Sequence, residues 1–190
     1  PMGEGLGTSL PSVSAMIRRM TREKLVTTSS EKEISLTKSG LTEAESILRR
    51  HRLAERLAVD VLKVDLKRAH EEAHRLEHAF SPYLESRVVD ILGHPTTCPF
   101  GHPIPGSNYV SNNSSVSLNK AKVGHDYLVD MLPEDDMELL GYFVDNDFLP
   151  GARIQITDLS NARGVITLKL GNKELVFSMD ISNLIRVTPA

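Results

Sequence analysis

Apolar and polar residues follow three different rhythms along this chain. Over residues 9–26 the spacing predicts one helix, because Val13, Met16, Ile17 and Met20 recur at i, i+3, i+4 and i+7. Ser9 is placed to cap it, and Pro11 suits the first turn, where a missing N–H costs nothing. Arg18, Arg19, Arg22 and Lys24 lie off the stripe. Two β-rich runs follow, 25–28 and 34–37, separated by the polar stretch Ser29-Ser30-Glu31-Lys32-Glu33; the pattern is a hairpin with a charged tip. A short basic helix followed by a hairpin is the back half of a winged helix-turn-helix. The helices such a motif carries ahead of its recognition helix are absent, so the expectation is a chain lacking its first helices.

Three helices come next. Residues 41–64 keep helical spacing through Ala44, Ile47, Leu48, Ala54, Leu57, Ala58, Val61 and Leu62, with neither Gly nor Pro inside. A second covers roughly residues 66–80. A third begins with Ser81 as cap and Pro82 in first position, and Gly93 terminates it. Their wide apolar faces suit a bundle that also dimerises. Four prolines make residues 94–106 an extended loop, and the Ser/Asn-rich stretch after Gly106 reads as a linker. Beyond about residue 120 the period becomes strand-like, with segments 153–157, 164–170, 173–178 and 184–187 and one helix near 134–146. A small SH3-like barrel is the economical assembly. The fold class expected is therefore mainly α with a small β domain. The divisions are 1–40 (partial winged helix), 41–106 (helical metal-binding and dimerisation domain), 107–121 (linker) and 122–190 (barrel).

Composition narrows the class without naming a function. The 190 residues are 40% apolar and 25% charged with a net charge of −3, which argues against a polybasic nucleic-acid binder. Charge is uneven: 6 basic residues stand against 4 acidic over 1–40, 9 against 10 over 41–105, and 7 against 11 over 106–190. DNA contact is thus expected near the N-terminus. The single cysteine, Cys98, excludes an internal disulfide and fits a reducing cytoplasm. No apolar run is long enough to span a membrane, and the opening residues show no secretory signal.

The chemistry concentrates in the helices. His51 and Glu55 stand at i and i+4, and the next helix carries His70, His74, Glu77 and His78 as H-x-x-x-H-x-x-E-H, within an arc of roughly 100° at 100° per residue. Six imidazole and carboxylate donors then face a shared interior, a set suited to Mn²⁺, Fe²⁺, Co²⁺, Ni²⁺ or Zn²⁺ rather than to Ca²⁺ or Mg²⁺. The plainer alternative makes them solvated residues paired with Arg50, Arg52, Arg56 and Arg75. The spacing is not H-E-x-x-H, so a metalloprotease lacks its base. Cys98 reads equally as a small buried apolar residue or as a soft metal ligand.

Three segments together resemble the metal-dependent repressors of the diphtheria toxin repressor and manganese transport regulator family. They are Lys38-Ser39-Gly40 with 50–57 (RHRLAERL), 70–78 (HEEAHRLEH) and 98–106 (CPFGHPIPG). Residues 9–26 look like that family's recognition helix, and the C-terminal part looks like its SH3-like (FeoA-type) domain. The resemblance implies two metal sites. His51, Glu55 and His70 match one, completed in the family by the SH3-like domain; Asp126, Asp130 and Glu134 are the candidates here. His74, Glu77 and His78 match the other, completed by a residue near the family's N-terminus that this chain lacks. His74 stands where iron-responsive members carry Cys and manganese-responsive members Glu; Cys98 is a further candidate ligand. The implied cofactor is Mn(II) or Fe(II), up to two ions per subunit, and the implied protein is a cytoplasmic homodimeric repressor of metal-uptake genes. Ser9, Pro11, Ser12 and Ser14 would face the groove of operator DNA, with Arg18 and Arg19 as further contacts. Two rival readings, a helical metalloenzyme using the His/Glu cluster and a metal-independent scaffold, leave the helix-and-hairpin half unexplained.

Overall fold

The computed structural model describes residues 9–31 and 33–190; the first eight residues, where no secretory signal was read, and Lys32 of the hairpin tip lie outside them. Two compact units divide the chain between Arg49 and Arg50.

In the first unit, α1 (Leu10–Arg22) is capped by Ser9, whose side chain accepts from the Ser12 amide at 3.4 Å. It ends before residue 26. Lys24 takes a left-handed φ of 60°, and the amides of Lys24 and Leu25 bond back to the carbonyls of Thr21 (3.1 Å) and Met20 (2.9 Å). This Schellman arrangement closes the helix and releases Val26 into a strand. Val13 is buried and Ile17 and Met20 are half-buried, but Met16 is exposed, so the inward stripe is narrower than expected. β1 (Val26–Thr28) pairs antiparallel with β2 (Ile34–Leu36), Val26 opposite Leu36. The Thr37 hydroxyl accepts from the Gly40 amide at 3.0 Å at the start of α2 (Lys38–Arg56). A Cβ on Gly40 would lie 1.9 Å from the Leu25 carbonyl oxygen, so only glycine lets the two backbones meet there.

The second unit begins within α2. The helix expected to run to residue 64 widens instead into a π-helical turn, Leu57–Val61, and stops at Lys63, whose φ is 57°. Asp65 caps α3 (Leu66–Leu76), and a 3₁₀ turn, Glu77–Ala79, replaces the last turn of the helix expected to reach residue 80. Ser81 caps α4 (Pro82–Ile91), which ends before Gly93 as expected. Leu53, Ala54, Ala73, Phe80, Val88 and Ile104 form the helical core. The alanines Ala54, Ala69 and Ala73 are fully buried, and their small side chains let α2 and α3 approach closely enough for the polar residues beside them to meet.

The remaining strands form one six-stranded antiparallel sheet in the order β3-β8-β4-β5-β6-β7. They are β3 (Val116–Ser117), β4 (Asp126–Met131), β5 (Arg153–Ser160), β6 (Val165–Leu170), β7 (Lys173–Ser178) and β8 (Arg186–Pro189). Three expectations are corrected. The linker assigned to 107–121 contains β3, and Leu118 is fully buried, because two apolar residues in a polar stretch suffice to join the sheet. β4 went unread as a strand. Residues 179–184, in part assigned to a strand, form a short helix, α6 (Met179–Leu184), capped by Ser178. The helix expected from 134 is α5 (Met137–Asp145): Asp136 accepts from the amides of Glu138 and Leu139, both at 3.0 Å, and starts it late. That delay leaves Glu134 in a loop, where its side chain can turn toward the helices. Phe143, Phe148 and Phe177 anchor the core beneath the sheet.

The loop 94–106 joins the helical and sheet parts of this unit. Its Phe100 carbonyl accepts from the Leu132 amide at 3.0 Å, and the buried Phe100 ring belongs to the sheet's core.

Candidate metal centre

The aligned faces of α2 and α3 bring His51, Glu55, His70 and His74 together, and the 3₁₀ turn adds Glu77 from below. The rings of His51, His70 and His74 have their centroids 4.6–4.8 Å apart. His51 is the hinge of the cluster. Its Nδ1 lies 2.7 Å from Glu77 Oε2, and its Nε2 lies 3.2 Å from Glu55 Oε1 and 3.1 Å from His70 Nδ1. His70 Nδ1 also approaches Glu55 Oε1 at 3.1 Å.

The electrostatics follow from burial. Desolvation pushes the His51 pKa down, but hydrogen bonds and charge from Glu55 and then Glu77 outweigh it, leaving a net rise. Desolvation likewise opposes ionisation of Glu55, yet the His51 and His70 hydrogen bonds hold its carboxyl down at about 2. The two neighbouring carboxylates thus favour protonation of His51 more than its burial alone would allow.

A second group shares Glu55 with the first. Cys98 and Glu134 place donor atoms within 4.8 Å of a Glu55 oxygen and of each other. The Cys98 thiol lies 3.7 Å from Glu134 Oε2, and burial followed by the charges of Glu55 and Glu134 drives its pKa up. Glu134 is held in turn: Arg52 Nη2 lies 3.5 Å from Oε1, and His102 Nε2 lies 3.7 Å from Oε2 while donating to the Leu132 carbonyl at 2.6 Å. Arg52 also donates to the Pro103 carbonyl. Neither Arg52 nor His102 stood among the expected site residues, although His102 lies inside the 98–106 motif.

The donor types fit a divalent transition ion. One observation argues for such a ligand directly. Glu55 is fully buried, and its Oε2 has no hydrogen-bond partner, a costly state for a carboxylate unless a cation faces it. Imidazole, carboxylate and thiol together match Mn²⁺, Fe²⁺, Co²⁺ or Zn²⁺.

Of the ten candidate ligands, His51, Glu55, His70, His74, Glu77, Cys98 and Glu134 fall into these groups. His78 lies beside them, its Nε2 3.3 Å from Glu77 Oε1, with its side chain largely exposed. Asp126 and Asp130 do not join them. Asp126 pairs with Arg153 at 2.8 Å, and Asp130 accepts from the Ser115 hydroxyl at 2.6 Å. In the first unit, Ser9, Pro11, Ser12, Ser14, Arg18 and Arg19 are all exposed on α1; Arg19 lies 3.9 Å from Glu23.

A helical His/Glu/Cys cluster joined to a small antiparallel sheet domain, with an exposed capped helix and hairpin in the other unit, describes a metal-sensing transcriptional repressor. Comparison with known proteins agrees. Residues 37–106 match the iron dependent repressor, metal binding and dimerisation domain, and residues 116–189 match the FeoA domain. The iron-dependent repressor IdeR of Mycobacterium leprae is 33% identical over 98% of this chain and 86% of its own length. The diphtheria toxin repressor of Corynebacterium diphtheriae is 30% identical over 98% and 86%. Among solved structures, a manganese-dependent transcriptional repressor in complex with manganese superposes with a TM-score of 0.85 at 27% identity, covering 100% of this chain and 89% of that one. ScaR with bound Cd²⁺ gives 0.84 at 26%, covering 99% and 89%. The chain belongs to this family of iron- and manganese-dependent repressors, whose named members are transcriptional repressors. No helix among the described residues is long and apolar enough to cross a membrane.

Proposed function

We propose that this chain represses transcription in response to Mn²⁺ or Fe²⁺, binding operator DNA as a homodimer. The supporting observation is the fully buried Glu55, whose Oε1 meets His51 and His70 while its Oε2 has no hydrogen-bond partner. His51, Glu55 and His70 would hold one ion, and His74, Glu77 and His78 would contribute to another. Cys98 and Glu134 are the loop and FeoA-domain donors nearest the first set. A bound divalent ion supplies positive charge and Lewis acidity that tie these donors together.

The residues themselves supply the response. Glu55 and Glu77 flank the His51 ring, so a divalent ion held here would add the positive charge that two buried carboxylates favour. Only the difference in affinity between DNA-competent and incompetent states can shift DNA binding. In the same reading α1 is the recognition helix and the paired strands β1 and β2 are its wing. Ser9, Pro11, Ser12 and Ser14 offer hydroxyls and small apolar contacts to base edges, and Arg18 and Arg19 meet phosphates. The sheet domain is SH3-like. Tyr83, Leu84 and Ile91, exposed on α4, form the dimer face, where they gain burial.

The test is fluorescence anisotropy with a duplex selected from random sequence by the metal-loaded chain. Binding is compared in Mn²⁺, in anaerobic Fe²⁺ and in chelator. The parent chain binds only with its effector metal, and His70→Ala and Glu77→Ala lose that dependence. Undiminished metal-dependent binding in both variants overturns the proposal.

A further inference from the structure

Basic residues are scarce in the sheet domain, and they are unevenly placed. Residues 106–190 hold 7 basic residues against 11 acidic ones, yet Lys120, Lys122 and Arg153 line a single cavity of about 680 Å³. The local backbone explains the convergence. A 3₁₀ turn, Leu118–Lys120, leads into Ala121, whose φ of −68° and ψ of 150° are extended. Side chains alternate along extended chain, so burying Ala121 sends its neighbours Lys120 and Lys122 outward together. The turn is braced from below. The Lys122 amide donates to the Tyr127 hydroxyl at 3.0 Å, the Gly124 amide donates to the Ile156 carbonyl at 2.8 Å, and His125 Nδ1 donates to the Val123 carbonyl at 3.2 Å. The backbone that carries both lysines is thus tied to β4 and β5.

Charge in the cavity is unbalanced. Arg153 is committed to Asp126, its Nη2 2.8 Å and its Nε 3.2 Å from Oδ2. Asp126 supplies the only side-chain carboxylate of the lining, and among the described residues neither Lys120 nor Lys122 forms an ion pair. Elsewhere on the domain Arg163 and Lys173 each pair with a carboxylate, of Asp158 and Asp147.

We infer that this cavity binds a small anion carrying at least two phosphate or carboxylate groups, which the Lys120 and Lys122 ammonium groups meet. Its volume lies within the range of small-molecule pockets, about 300–1,000 Å³. DNA fits less well, because a duplex needs an extended basic surface and this domain is net acidic. A small anion escapes that repulsion: at 0.1 M salt, charges beyond about 10 Å are largely screened, so it responds to the lysines and not to distant carboxylates. None of the lining residues belongs to the donor groups around Glu55, so the cavity is a ligand site separate from the metal centre.

Isothermal titration calorimetry of the full chain, freed of metal on a chelating resin, tests the site with citrate and with inorganic pyrophosphate in about 0.1 M KCl. The expected result is saturable binding of at least one of them, one per chain, and the tighter of the two assigns the carboxylate or the phosphate class. The double variant Lys120→Gln/Lys122→Gln should weaken that binding by about tenfold or more. Lys169→Gln, exposed on β6 outside the cavity, should leave it unchanged. All three lysines are exposed, and thermal melts check that the variants fold as the parent does. No saturable binding of either anion overturns the site. So does binding that the double variant leaves intact, or that Lys169→Gln weakens equally, since the attraction is then diffuse or located elsewhere. A duplex of random sequence is titrated by anisotropy in parallel. Weaker duplex binding by the double variant, with neither anion bound by the parent, assigns the lysines to DNA and overturns the pocket.

Discussion

Gly101→Ala should damage the metal centre without touching a ligand. Gly101 has a φ of +92°, and a Cβ there would lie 2.0 Å from the Asp130 carbonyl oxygen, far inside the 3.4 Å at which contact becomes ordinary. The obstacle is backbone of β4, in the middle of the sheet, so it cannot swing aside as a side chain could. The loop must move instead. Left-handed strain costs about 1–2 kcal/mol for a non-glycine residue. Losing the bond from the Leu132 amide to the Phe100 carbonyl costs about 1 kcal/mol more, and loosened packing around the buried Phe100 ring adds about 1 kcal/mol. The total, about 3–4 kcal/mol, lowers the melting temperature by roughly 6–16 °C for a chain this size. Scanning calorimetry of the metal-free chain reads that shift. The same displacement moves Cys98, three residues away, so the thiolate-to-cobalt charge-transfer band that a Co²⁺ titration of the parent chain should show will weaken or vanish in Gly101→Ala. A melting transition within a couple of degrees of the parent, with the cobalt band intact, would refute the reasoning.

Three further outcomes are expected. Gly40→Ala should unfold or unlatch the hairpin from the start of α2, because the Cβ would meet the Leu25 carbonyl oxygen at 1.9 Å; increased proteolysis within residues 25–37 reads it, and an unchanged cleavage pattern counts against it. The metal-free chain should be most stable to urea between about pH 4.5 and 6.5. The depressed Glu55 pKa stabilises above its unfolded value and is lost as pH falls toward about 2, whereas the raised His51 pKa stabilises below its unfolded value and is lost as pH climbs through the folded one. Because binding displaces the His51 proton, Mn²⁺ affinity should rise by up to about tenfold per pH unit over the range where His51 is protonated, and a flat profile there refutes the exchange. Ile91→Asp should give monomers by analytical ultracentrifugation if α4 forms the dimer face, and persistence of the dimer would move the interface elsewhere.

Much of this molecule was legible in the chain because its signals are local. Ser9, Ser81 and Pro82 mark helix starts, and the i, i+4 and i, i+3 spacings of His51/Glu55 and His74/Glu77 put donors on one face wherever the helix sits. The helical spacings, with the 98–106 motif, were enough for the class of protein and for six of the clustered donors, His51, Glu55, His70, His74, Glu77 and Cys98. Where the reading missed, the deciding interactions were distant in sequence. The π-helical turn after Arg56, the strand at 116–117 and the late start of α5 at Asp136 each depend on packing or a cap that periodicity does not carry. Choosing among Asp126, Asp130 and Glu134 was likewise a tertiary matter. All three are acidic residues within one short segment, but β4 commits the first two to Arg153 and Ser115. Glu134 alone lies in the loop that faces Arg52, Cys98 and His102. Residue type and helical spacing determined which atoms can bind a metal. Only the folded backbone decided which of them come together, since a coordination centre requires donors a few ångströms apart that the chain keeps as many as 79 residues apart, from Glu55 to Glu134.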